Sequence, residues 1–409
     1  MFEKIVIRNS ESETGISPGD LAEAMLFYGK VHLVLDIWSL KTLINGIGIE
    51  ELFALIRRKQ ITAYYAEDML MVQNEQIDSR QLHSFISGAI AGKGGETQAK
   101  PIGRKERLAV TLEINGIAPR RARKFADEFL RHSHMGRLSD DHFLKGGIPN
   151  AAVSDLSRPD YVHAVMKTVL KNTVGFAGYA DSLKVAIVPA PRNLSTHSGI
   201  RAEHKFWLQT NIDFDKANAL RKAIDPTLEP INAGGLLSGI LTARADIALA
   251  GFYGGDFRTS AMVSEIIRIQ YSELLRRSRI NADEISQFHN VALESYPTVR
   301  EVVNSKQRSF AEFLSLLEKS QKFREMVRNL EPDEKLVTEY IAELSKEEWL
   351  SSIPAKAARY VITKIIGLGL GDVASVGAEI FDTFIAEKIL PSWRPNHFVD
   401  RKLKPFLDT

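Results

Sequence analysis

Between residues 24 and 72 the apolar pattern changes twice, and that succession restricts the chain to folds that mix strands with helices. The stretch "AMLFYGKVHLVLDI" is rich in aromatic and branched residues, as a buried strand is. Ser39 then offers a cap ahead of "LKTLINGIGIEELFALIRRKQ", where Leu40, Leu43, Ile44, Leu52, Leu55 and Ile56 recur at helical spacing. Gly46 and Gly48 are expected to interrupt that helix. "ITAYYAEDMLMV" returns to strand character, giving a strand, a helix and a strand with short connections.

The alternation continues through the first half. "SGAIAGKGGETQAKPIGRKER", residues 87–107, is glycine-rich and basic without apolar periodicity, and reads as a flexible loop. "LAVTLEI" follows as an expected strand, and Pro119 opens an expected helix over "RRARKFADEFLRHSH". "LKVAIVPAP" and "HKFWLQTNIDF" read as two strands joined by a polar loop.

After Asp215 long helical periods take over. Val263, Ile266, Ile267 and Leu274 mark one helix, and Phe310, Phe313, Leu314 and Leu317 mark another. Residues 333–344 and 373–390 supply two more, and the breakers in "DPTLEPINAGG" suggest a boundary. The expectation is an α+β protein: a mixed α/β domain over 1–220, then an all-α domain over 221–409. A chain of 409 residues exceeds one ordinary core, which agrees with two units.

Charge and cysteine content narrow the functional classes. The 53 basic residues nearly cancel the 51 acidic ones, so affinity for an anion has to come from local clustering. Cysteine is absent, which removes disulfides, thiolate metal sites and thiol nucleophiles. The N-terminus has no basic region leading into a long apolar segment, so a cytoplasmic protein with no constitutive membrane span is expected.

The clearest cluster is basic. Between Lys93 and Lys124 nine cations face only Glu96, Glu106 and Glu113. Arg120, Arg121, Arg123 and Lys124 fall at a helix N-terminus, where the macrodipole disfavours positive charge and an anionic partner would offset the cost. Nucleic acid or an acidic protein surface would serve, and a solvated face is the plainer reading. Arg192 and Arg201, with Ser195, His197 and His204 in the loop before "KFWLQT", form a second anion-binding candidate. In "GGDFRTS", Asp256 and Arg258 suit a site, while Thr259 and Ser260 suit a helix cap.

Other stretches carry weaker signals. His132, His134 and His142, with Asp140 and Asp141, are ligand types for zinc, manganese or iron. Their spacing departs from the H-x-H-x-D-H run of metallo-β-lactamase-like hydrolases, because Gly136 and Arg137 stand where Asp and His are required. Gly367, Leu368, Gly369, Leu370 and Gly371 lack the third glycine of a dinucleotide-binding turn, since Asp372 and Ala374 occupy the needed positions. They suit close helix packing, or a membrane-active segment together with "INAGGLLSGILTA" at residues 231–243. The usual NTPase, zincin, hydrolase and kinase motifs are missing, and no cofactor is called for. The sequence therefore favours binding of an anionic partner, with a membrane-active effector second and a metal-dependent enzyme of unfamiliar family third.

Overall fold

The computed structural model describes residues 2–9, 15–77, 80–89, 103–190, 205–293, 296–329 and 398–408. The chain begins with β1 (Lys4–Arg8), α1 (Pro18–Phe27), β2 (Lys30–Leu35), α2 (Ile37–Ile47), α3 (Ile49–Arg57) and β3 (Ile61–Ala66). β4 (Asp68–Ile77), β5 (Arg80–Ala89), α4 (Arg104–Ile114), α5 (Pro119–His132) and β6 (His134–Gly136) follow. Then come α6 (Ile148–Asp155), α7 (Pro159–Lys171), β7 (Val185–Pro189), β8 (Lys205–Thr210), α8 (Phe214–Ile224), α9 (Ala233–Tyr253) and β9 (Asp256–Phe257). α10 (Ala261–Ala292), α11 (Val299–Asn304), α12 (Phe310–Lys319), α13 (Gln321–Asn329) and the short α14 (Lys404–Leu407) are the remaining α-helices among the described residues.

Two sheets result. The first has the order β6-β3-β2-β1-β9 with every pair parallel, and the second is antiparallel in the order β4-β5-β8-β7. Both faces of the parallel sheet are covered, which explains why its strands read as nearly continuous apolar runs. Ile5, Ile7, Leu33, Leu35 and Ala63 face α1–α5, α11–α13 and the C-terminal residues. Val6, Val34, Tyr64 and Ala66 face α6, α7, α9 and the antiparallel sheet.

The fold is mixed α+β, as expected, but several elements differ from the sequence reading. Residues 24–27 end α1, which is capped by Ser17 in a capping box with Asp20, and the strand begins only at Lys30. Asp36, not Ser39, caps α2 by accepting the Ser39 N–H at 2.6 Å. The helix breaks at Gly48, whose φ of 89° favours glycine, while Gly46 stays helical. "LAVTLEI" is the second half of α4, with Leu108, Ala109 and Leu112 buried on one side. The basic loop is shorter than read, because β5 runs to Ala89 and α4 starts at Arg104.

Among the described residues the packing runs across position 220. β9 completes the sheet that β1 begins, and Phe288, Val302, Phe313 and Phe323 share a core with Leu21 and Leu26 of α1. The segment read at 231–243 is the first part of α9, which continues for 21 residues. Its charged residues do not end the helix because Arg244 is paired with Asp155, and Asp246 with Arg8. By length and composition α9 could cross a membrane, yet 56% of its most apolar window is buried inside this fold.

Candidate functional site

Strands β2, β3 and β6 are added successively on one side of β1, and β9 is added on the other. The direction of sheet growth thus reverses between β1 and β9, and in open α/β sheets the carboxyl ends of such a strand pair flank the usual ligand crevice. Charged side chains gather at that edge. β1 ends in Arg8, β9 is followed at once by Arg258, and α1 begins next to both with Asp20 in its first turn.

Strand alternation sends the two arginines to opposite faces. Arg8 lies on the face of Val6, where its Nε and Nη2 donate to Asp246 Oδ1 of α9 at 3.1 and 2.8 Å. Arg258 lies on the other face, where its Nη1 donates to Asp20 Oδ1 at 2.5 Å. Arg300 of α11 forms an ion pair with the same Asp20 oxygen, its Nε 2.7 Å away. Two guanidinium groups thus converge on one carboxylate oxygen, with Glu23 and Glu301 close enough to act on them as well, and the arginine side chains remain 35% and 44% exposed.

Close backbone contact sets this geometry. Gly19 donates its N–H to Asn304 Oδ1 at 2.8 Å, and a Cβ at position 19 would lie 2.3 Å from the Arg300 carbonyl oxygen. Only glycine lets α11 approach α1 so closely, and that approach delivers Arg300 to Asp20. Burial opposes ionisation of Asp20, but Arg258, the Ser17 hydroxyl and Arg300 outweigh it and hold the carboxyl below its usual range. One turn along, burial prevails at Glu23 and pushes its carboxyl up, although Arg258 and Arg300 pull the other way.

Two oxygens at this edge have no hydrogen-bond partner among the described residues. They are Asp246 Oδ2 and Thr259 Oγ1, both buried. Buried polar atoms are nearly always satisfied, so two left open beside a switch point stand out. The neighbouring strand ends are closed by contrast. Asp36 accepts from Asn9 Nδ2 at 3.1 Å, and Glu67 takes Arg107 through two hydrogen bonds of 2.5 and 3.1 Å.

The residues singled out in the sequence fall elsewhere. Arg120, Arg121, Arg123 and Lys124 are exposed on the first turns of α5, whose cap residue Ala118 supplies no side-chain hydrogen bond. Arg123 lies 3.8 Å from Glu113 and Lys124 3.5 Å from Glu50, while Arg120 and Arg121 have no carboxylate partner among the described residues. Arg192, Arg201 and the run from Gly367 to Gly371 lie outside the described residues.

Among the described residues the three histidines do not gather into a ligand cluster. His132 ends α5, His134 opens β6, and His142 stacks on the Tyr64 ring at 5.2 Å. No group of three or more potential ligands comes together among the described residues. In "GGDFRTS", Ser260 caps α10 by accepting from Val263 N–H at 3.1 Å, and Arg258 pairs with Asp20. The sequence did not point to Asp20, Asp246 and Arg300, which come from three separate helices. No protein-family model matches the chain, and neither a curated protein nor a solved structure shows significant similarity to it.

Proposed function

We propose that this protein binds a small anionic molecule, a phosphorylated or carboxylated polyol, in the crevice between the ends of β1 and β9. The observation that carries the reading is the sharing of one Asp20 oxygen by Arg258 and Arg300. A carboxylate that orients two half-exposed guanidinium groups preorganises them for a second, external anion. The open oxygens of Asp246 and Thr259 supply acceptors for ligand hydroxyls.

Titration with glycerol phosphate tests this directly. It is expected to raise the melting temperature saturably, where sodium chloride of equal ionic strength does not. Arg300→Ala is expected to weaken binding about ten- to a hundredfold, the worth of one charge-assisted hydrogen-bonded contact. Unaltered affinity in that variant, or no saturable shift in the parent protein, would remove the proposal.

A second reading rests on α5. Arg120 and Arg121, without a carboxylate partner among the described residues and beside a helix start with no side-chain cap, suit a phosphate backbone. Arg120→Glu with Arg121→Glu is expected to abolish binding to a single-stranded oligonucleotide at low salt, measured by fluorescence anisotropy. If wild-type protein shows no salt-sensitive anisotropy change, the surface is a solvated one.

A further inference from the structure

A cavity of about 450 Å³ lies between α1, the C-terminal part of α10 and α11, and Leu403 closes one side. That volume is in the range of small-molecule sites. Its walls include Leu26, Phe27, Phe288 and Leu293, all buried, and the Phe27 and Phe288 rings meet edge to face at 6.1 Å. Charge in the lining is one-sided. Glu23 and Glu301 contribute carboxylates, and among the described residues no lysine or arginine lines the cavity.

The polar groups have capacity to spare. Glu301 uses Oε2 to accept the Thr298 N–H and hydroxyl at 2.8 and 3.0 Å, and no described residue donates to Oε1. His289 Nε2 is buried with no hydrogen-bond partner among the described residues. Glu23 presents a third acceptor from α1. A primary ammonium carries three N–H donors, which three such acceptors match in number and sign.

We propose that this cavity is a binding site for a small organic amine, with an apolar or aromatic body held against the apolar wall that Leu26, Phe27 and Leu293 help to form and an ammonium group facing Glu23, Glu301 and His289. A neutral molecule of the same shape would forgo the attraction to Glu23 and Glu301, and an acidic one would meet like charge from both. Burial already pushes the Glu23 carboxyl up, as expected of an acid short of donors on the cavity side. The arginines of the anion crevice do not line the cavity, although Arg258 and Arg300 act on Glu23 from the other side.

Calorimetric titration with phenethylamine, phenethyl alcohol and phenylacetate tests the assignment on the full chain. The amine is expected to bind saturably and at least tenfold more tightly than the alcohol, with phenylacetate weakest. Glu23→Gln keeps the side-chain shape and is expected to erase the preference for the amine, its fold being checked by an unchanged melting curve. Should that variant fail to fold, Leu293→Trp fills the cavity instead and is expected to abolish amine binding. Equal binding of amine and alcohol, preference for the acid, a preference that survives Glu23→Gln, binding that survives Leu293→Trp, or no saturable amine binding would each overturn the assignment. Glycerol phosphate titrated into the same preparations reports on the anion crevice independently, so failure of one site is read apart from failure of the other.

Discussion

Asp155→Ala is expected to lower the unfolding free energy by about 3 to 5 kcal/mol, the range for breaking one side of a buried ion pair. Asp155 ends α6 and receives Arg244 of α9 through two hydrogen bonds, one of them 2.8 Å from Nε to Oδ2. The two side chains are only 7% and 15% exposed, so water does little to replace the lost partner. Coulomb attraction alone does not decide the outcome. Removing the acid leaves a guanidinium in a site built around it, whereas Asp155→Leu combined with Arg244→Met removes both charges and is expected to recover most of the loss. Urea denaturation of the three proteins measures this, and a loss below about 1 kcal/mol in Asp155→Ala would show that solvent reaches the pair.

Gly19→Ala is the second change with a large expected effect. The added methyl group would meet the Arg300 carbonyl at 2.3 Å and the Asn304 side chain at 2.6 Å, so α11 has to withdraw from α1. Overpacking of this kind costs about 1 to 3 kcal/mol. It also carries Arg300 away from Asp20, so glycerol phosphate affinity is expected to fall about as far as in Arg300→Ala. Thermal melting and the same titration check both effects. An alanine variant with parental stability and affinity would mean that α11 does not place the arginine.

The elements legible in the sequence are those whose signals are local. Pro119 and the spacing of Ala122, Phe125, Ala126 and Phe129 define α5, and Ser309 with Phe310, Phe313 and Leu317 defines α12. α1 was hidden because its apolar end runs without a polar break almost into β2, so one long apolar stretch covered a helix and a strand. α4 was misread because a short run of mixed branched and unbranched residues has no decisive period, and its helix is fixed by contacts such as Arg107 with Glu67. The candidate crevice was illegible for a different reason. Arg258 meets Asp20, and Arg8 meets Asp246, across 238 residues of sequence in each case, so no motif spacing contains either pair.

The pairing of β9 with β1 also has a consequence for the order of events during synthesis. β1 emerges first, but the strand that covers its outer edge follows about 250 residues later. At the usual rates of translation that interval is roughly 12 to 50 seconds, during which the nascent sheet presents an unpaired parallel edge. The residues that close it, Asp256 and Phe257, form only a two-residue strand. Until that strand forms, the five-residue edge of β1 is the place where a neighbouring chain on the same message could pair, and β9 covers only part of it.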